Sequence, residues 1–200
     1  MHAVLASPGV PIGPCLEIVD GAAKALKLEI ERNSVVHIAQ ICDGFPYFAH
    51  LVTEKLLWGW FNDPQQDPER TAARHYEEAI RRASEESEPE LKDPYDKVVK
   101  RYKTIGQQII WSIADGPNLD KNVDAAYRDY LGIMRRVHGQ TLTRDQFNGR
   151  LIQMRSEAFG EILWSRRRGR YEFAEKRMRG YARLRAARQG ELLRSDNPLA

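Results

Sequence analysis

The change in hydrophobic spacing near residue 160 restricts the fold of this chain more than any other feature of its sequence. From about residue 16 to residue 159, apolar residues recur at intervals of three and four, as in amphipathic α-helices. The stretch EILWSRRRGRYEFAE, residues 161–175, instead alternates apolar and polar residues around a glycine-containing turn. We therefore predict a mainly α protein with one β-hairpin, which a last helix at 175–189 follows.

Helix-start signals and prolines divide the helical part into segments. The predicted helices before the hairpin span residues 16–28, 34–41, 46–61, 71–87, 95–114, 123–137 and 143–159. Thr143 and Gln146 have the spacing of a capping box at the start of the last of these. The polar segment SEPELKDPYD holds two prolines and is the best candidate for a domain boundary. The predicted units are an extended segment 1–15, a helical bundle 16–90, a second domain 95–190 and a flexible tail 191–200.

Three helices followed by a hairpin is the element order of a winged helix-turn-helix domain, in which the third helix enters the major groove of DNA. Arginine, asparagine and glutamine can read base edges, and arginines in the wing can contact phosphates. The candidate DNA-binding residues are Arg144, Asn148, Arg150, Gln153 and Arg155 in the third helix, and Arg166, Arg167, Arg168 and Arg170 in the wing.

The distribution of charge supports an anionic partner for this end of the chain. Residues 144–200 hold 14 lysines and arginines against 7 acids, whereas residues 1–143 hold 17 against 21. Such asymmetry is typical of nucleic-acid binding, so we expect duplex DNA as the partner. Two alternatives stay open, because winged helices also mediate protein contacts and basic hairpins also occur as plain solvated edges.

A Gly-Phe-Pro corner precedes the third helix of the first bundle, where Gly44 permits an unusual backbone angle and Pro46 suits a first helical turn. We predict that this corner (Gly44, Phe45 and Pro46) is structural and packs Phe45 into the bundle. Three stretches carry a family resemblance, and they are VVHIAQICDGFPYFAHLVTEKLL, FGEILWSRRRGRYEF and FAEKRMRGYARLRAA. In these stretches the chain resembles the C-terminal lid and winged-helix region of AAA-type P-loop ATPases, such as archaeal origin-recognition initiators and bacterial ATP-binding proteins. The corner is therefore named the lid corner.

The resemblance implies a lid and a winged helix that dock on an ATPase core or form a homo-oligomer, and the chain departs from the family in the motor itself. No GxxxxGK[ST] phosphate loop and no apolar strand ending in Asp-Glu are present. Where the family places an arginine at the start of the lid helix, this sequence has Tyr47, Phe48 and His50. We therefore predict a non-catalytic DNA-binding module without a cofactor. The alternatives are an interaction adaptor that does not bind nucleic acid and a free-standing winged-helix transcriptional regulator.

Other motifs give no sign of catalysis or of a membrane. The five histidines lack metal-ligand spacing, and no nucleophile motif is present. Cys15 and Cys42 stand outside any CxxC motif, so we expect unpaired cysteines in a reducing, cytoplasmic setting. No apolar run reaches the length of a transmembrane helix. Trp58, Trp60 and Trp164 are predicted to be core residues, with a protein interface as the alternative for the first two.

Overall fold

Residues 13–194 are described by a computed structural model, and over this range the chain is mainly helical, as predicted. The eight α-helices of this range are α1 (Gly13–Leu26), α2 (Arg32–Cys42), α3 (Pro46–Phe61), α4 (Ala73–Glu86), α5 (Pro89–Ala114), α6 (Val123–Arg136), α7 (Arg144–Gln153) and α8 (Met178–Ala187). One antiparallel sheet contains β1 (Asp120–Asn122), β2 (Leu163–Trp164) and β3 (Arg170–Phe173). The predicted extended segment and tail lie largely outside the described residues, although residues 13–15 already belong to α1.

Helix α3 packs against α1, α2 and α4. Its sequence is apolar on nearly every side, and Phe48, Val52 and Leu56 are fully buried. The C-terminal end of α3 differs, because Trp58 is 54% exposed and its ring meets that of Phe61 edge to face at 5.9 Å. The prediction that Trp58 belongs to the core is therefore wrong.

The lid corner between α2 and α3 has the backbone that its residues favour. Asp43 and Gly44 both have positive φ angles, of 50° and 79°, and they end α2 in the left-handed region. Phe45 then caps α3 with an extended backbone, and Pro46 occupies the first helical turn. The Phe45 side chain is half-buried and packs against the core, as predicted.

A disulfide bond joins Cys15 of α1 to Cys42 at the end of α2, and both cysteines are fully buried. The prediction of two unpaired cysteines is therefore wrong. Their sequence separation of 27 residues and the absence of a CxxC motif gave no sign of the pairing, which arises because both residues are buried in the same hydrophobic core. The inference of a reducing compartment rested on unpaired cysteines and loses that support.

Helix α5 begins within the polar segment that was predicted to hold the domain boundary, because Pro89 suits its first turn. It spans 26 residues and has a kink at Lys103, whose φ of 55° is not helical. After the kink, residues 106–114 are buried on all sides. Neither α5 nor any other helix between residues 13 and 194 has an apolar stretch sufficient to cross a membrane.

The sheet has the strand order β1-β3-β2, and both pairings are antiparallel. The hairpin of β2 and β3 was predicted, whereas β1 was not. Leu163, Tyr171 and Phe173 point into the core, and Trp164 is 57% exposed. The prediction of Trp164 as an inward residue is wrong because Ile162 and Leu163 are both buried, which shifts the alternation by one residue.

Helix α8 returns to the first bundle and packs against α2, α4 and α5. Two of its arginines, Arg179 and Arg183, are each only 2% exposed. The Arg179 Nε lies 2.9 Å from Oδ2 of Asp43, the residue before the lid corner, and Arg183 Nη2 lies 3.5 Å from Asp43 Oδ1. A buried ion-pair cluster therefore fixes α8 to the corner.

Candidate nucleic-acid interface

Helix α7, the predicted recognition helix, is positioned by its capping box. The Thr143 hydroxyl accepts a hydrogen bond from the Gln146 backbone N–H, and the Gln146 side chain accepts one from the Thr143 N–H. The capping box is therefore confirmed. The helix ends at Gln153, earlier than predicted, and a short 3-10 helix (Glu157–Phe159) follows it.

The inward side of α7 carries Phe147, Leu151 and the capping residue Met154, all fully buried. At 100° per residue, the side opposite to them carries Asp145, Gly149 and Ile152. The Asp145 side chain is 99% exposed, Ile152 is 51% exposed, and nothing lies within 4 Å of the position of a Cβ at Gly149. The outermost stripe of α7 is thus poor in side chains that could read base edges.

The five predicted residues of this helix lie on its two flanks. On one flank, Arg144 forms an ion pair of 2.7 Å with Asp124 of α6, and Asn148 accepts a hydrogen bond of 3.2 Å from the Tyr171 hydroxyl of β3. This ion pair lowers the pKa of Asp124 below its ordinary value. Arg155, just past the end of α7, is exposed and has no ion pair with any described residue.

The other flank of α7 faces α5. The Arg150 guanidinium stacks over the Tyr102 ring at 4.1 Å, and the Tyr102 hydroxyl donates a hydrogen bond to Gln153. The predicted residues are therefore separated by the body of the helix, with Arg144, Asn148 and Arg155 towards the sheet side and Arg150 and Gln153 towards α5.

The turn between β2 and β3, residues 165–169, is called the arginine turn below. The Arg170 N–H donates to the Arg167 carbonyl at 3.0 Å, the Ser165 hydroxyl donates to the same carbonyl at 2.8 Å, and Gly169 has a φ of 76°. The left-handed conformation at the last position explains the glycine. Arg167 and Arg168 are exposed at this turn, and neither forms an ion pair within the described part of the chain.

The other two arginines of the hairpin bind acids on the solvent face of the sheet. Arg166 Nε lies 3.0 Å from Glu172 Oε1, and Arg170 Nε lies 2.6 Å from Asp120 Oδ2. The hydrogen bond from Arg170 lowers the pKa of Asp120. Sequence reasoning missed these acids because Asp120 belongs to the unpredicted strand β1. The only hint was the alternation of residues 170–173, which places Glu172 on the outer face.

A polar cavity of about 540 Å³ lies beside β1, and its charged groups are largely paired with one another. Lys121 Nζ lies 2.5 Å from Asp129 Oδ2, and Arg194 Nη2 lies 2.8 Å from Asp115 Oδ2. No group of three histidine, cysteine, aspartate or glutamate side chains among residues 13–194 is arranged to hold a metal ion. We therefore take the exposed arginines of α7 and of the hairpin, and not this cavity, as the candidate site.

Comparison with known proteins gives no match at the level of family models, of curated proteins or of solved structures.

Proposed function

We propose that this chain is a non-catalytic module that binds duplex DNA through α7 and the arginine turn. In this proposal the second half of α5, together with α6, α7 and the three strands, forms a winged helix. Helix α7 is its third helix and the β2–β3 hairpin is its wing. The part of the DNA that these elements contact is the phosphate backbone beside one turn of the major groove.

The arrangement of the sheet is the observation that carries the proposal. Strand β1 lies between α5 and α6 in sequence and pairs with β3. Strand β3 therefore lies between β1 and β2, and its pairing with β1 connects the hairpin to the segment between α5 and α6. The Asn148–Tyr171 hydrogen bond joins α7 to β3, the strand that follows the arginine turn. A helix placed beside a basic turn in this way is a geometry that suits a duplex.

The unpaired charge supports contacts with phosphates more than with bases. Arg155, Arg167 and Arg168 are exposed cations that form no ion pair within residues 13–194, and the outer stripe of α7 presents Asp145 and Ile152. Phosphate contacts supply affinity without sequence choice. We therefore expect binding that depends strongly on salt and weakly on base sequence.

The proposed relation to AAA-type ATPases concerns the first four helices. In it, α1–α4 form the lid-like bundle, the Asp43–Pro46 turn is its corner, and an ATPase core supplied by another chain or segment is the docking partner. The Gly-Phe-Pro sequence carries the comparison of the corner, and the positive φ of Gly44 explains why a glycine is placed there. The cytoplasm is the compartment that this function implies.

Fluorescence anisotropy with labelled duplex DNA tests the proposal at about 50 mM and about 200 mM salt. The variant Arg167→Ala/Arg168→Ala removes the two unpaired cations of the arginine turn. Its matched control, Lys24→Ala/Arg32→Ala, removes two exposed and unpaired cations on α1 and α2. The slope of log K against log salt is negative. We expect it to become shallower by about two in the first variant and to stay unchanged in the control.

Two results would contradict the proposal. One is the absence of binding by the unaltered chain even at low salt. The other is an equal loss of affinity in both double variants, because it would mean that net charge alone attracts the DNA.

The interaction adaptor remains a second candidate because of one observation, the exposed rings of Trp58 and Phe61 at the end of α3. Exposed aromatic pairs are typical of protein interfaces. Sedimentation of the unaltered chain and of Trp58→Ala/Phe61→Ala over a range of concentrations tests this candidate. Self-association that the double variant loses, together with no binding of DNA, would favour the adaptor.

A further inference from the structure

Helix α5 carries a second group of unpaired cations that lies outside the basic C-terminal quarter. Lys97, Lys100, Arg101 and Lys103 fall within seven residues, and no acid follows them before the helix ends at Ala114. All four are exposed, and none forms an ion pair within the described residues. By contrast, the basic residues of α4 are balanced by acids on the same helix, as in the pairs of Arg81 and Arg82 with Glu78.

Aromatic contacts join this segment to the end of α7. The Arg101 guanidinium lies 4.9 Å from the centre of the Phe159 ring, and that ring lies 4.9 Å from the ring of Tyr102. Tyr102 in turn lies beneath Arg150 of α7. A Cβ at Gly160 would lie 3.3 Å from the Lys97 side chain. These contacts connect Lys97, Arg101 and Arg150 around Phe159 and Tyr102. The α5 basic surface is these three residues together with Lys100 and Lys103, which are exposed on the same segment of α5.

The guanidiniums of Arg101 and Arg150 each lie over an aromatic ring. A guanidinium that lies flat on an aromatic ring keeps its N–H groups at the edge, where they can still donate to phosphate oxygens. The acids nearest in sequence to the α5 cations are Asp93 and Asp96 on the same helix, and Glu157 and Glu161 lie on either side of Phe159. Asp96 already pairs with Arg185 at 3.3 Å. Five cations against the other three acids leave the surface positive.

The α5 basic surface and the arginine turn lie on different flanks of α7. Asn148 contacts Tyr171 of the sheet, and Arg150 contacts Tyr102 of α5. Two positions along a helix amount to a rotation of about 200°, so these contacts point in nearly opposite directions from the helix axis. A duplex that lay along α7 would therefore have cations on both sides.

We propose that the α5 basic surface binds the phosphate backbone of the same duplex, on the side of α7 opposite to the arginine turn. This proposal rests on the proposed DNA-binding function and extends it to a second line of phosphate contacts. From Lys97 to Arg101, before the kink at Lys103, the helix advances about 6 Å, a length of about two phosphate spacings along the axis of one strand. An extended polyanion fits such a row of cations better than a single small anion does.

The test compares Lys97→Ala/Lys100→Ala with the arginine-turn variant and with the control Lys24→Ala/Arg32→Ala in the anisotropy experiment. Alanine favours the helix, so the α5 variant is expected to fold. We expect its slope of log K against log salt to become shallower by about two. The charge-preserving variant Lys97→Arg/Lys100→Arg should keep the slope of the unaltered chain.

The results separate this inference from the proposed function. If the unaltered chain binds DNA and only the arginine-turn variant is weakened, the α5 basic surface is not part of the interface and the inference is overturned. It is also overturned if the lysine-to-arginine variant is weakened as much as the alanine variant, because charge is then not the cause. No binding by the unaltered chain would instead defeat the proposed function itself.

Discussion

At the scale of single residues, two acids on the sheet determine how much positive charge the hairpin offers. Asp120 and Glu172 lie directly opposite each other in the pairing of β1 and β3, and each holds one arginine. The hydrogen bond from Arg170 lowers the pKa of Asp120, so that carboxylate stays ionised and paired at neutral pH. Of the four hairpin arginines, only Arg167 and Arg168 are unpaired within the described residues.

Removing these acids should therefore strengthen DNA binding. In Asp120→Asn/Glu172→Gln, Arg166 and Arg170 lose their carboxylate partners and become available to phosphates. We expect tighter binding at low salt and a slope of log K against log salt that steepens by about one for each released arginine. Both ion pairs are partly exposed, so the cost in folding free energy should stay below about 1 kcal/mol for each.

The matched control for that measurement is Asp20→Asn/Glu77→Gln, which makes the same change in net charge at exposed acids of α1 and α4. Anisotropy with the same duplex should detect no comparable gain in the control. A gain of equal size in both variants would mean that overall charge, and not the release of hairpin arginines, controls the affinity.

At the scale of helices and strands, the sequence was sufficient to predict the features that depend only on neighbouring residues. The capping box at Thr143 and the Gly-Phe-Pro corner need only neighbouring residues, and both were predicted correctly. Strand β1 could not be predicted in this way. Its residues Asp-Lys-Asn are polar, and it becomes a strand only because β3, some 50 residues further along the chain, supplies the hydrogen bonds.

The candidate site shows the same limit. The sequence was sufficient to indicate that Arg144, Arg166 and Arg170 are surface residues, but not that each has an acidic partner from another element. Trp164 was misjudged for a related reason. A strand of two residues is too short for its alternation to be read, and one shift in register exchanges the inward and outward faces.

The disulfide between α1 and α2 leads to a prediction at this scale. It closes a loop with a sequence separation of 27 residues, and such a crosslink stabilises chiefly by restricting the unfolded chain. We expect Cys15→Ala/Cys42→Ala to lower the free energy of unfolding by about 3 kcal/mol, measured by urea denaturation.

Reductant provides the control for the crosslink. The unaltered chain should lose a similar amount of stability when it is denatured in the presence of dithiothreitol, and the double variant should show no response to it. If dithiothreitol left the unaltered chain as stable as before, the two cysteines would not be joined in solution.

At the scale of the whole molecule, α8 connects the first four helices to the rest of the chain. It packs against α2 and α4 on one side and against α5 on the other. Gly180 lies so close to Phe48 that a Cβ there would approach the ring to 2.5 Å, so the contact admits no larger side chain. The Asp43 carboxylate, between Arg179 and Arg183, lies at the centre of this contact.

Breaking this buried cluster should therefore destabilise both the first four helices and the elements from α5 onwards. In Asp43→Asn the side chain keeps its shape, and asparagine tolerates the left-handed φ of 50° at this position. The two buried arginines lose their compensating charge, which typically costs about 3 kcal/mol. Hydrogen exchange followed by mass spectrometry should then show faster exchange in α3 and in α6 to a similar degree. The exposed substitution Asp20→Asn is the control. Faster exchange in α3 alone would mean that α8 does not couple the two parts, and that the first four helices open as a separate unit.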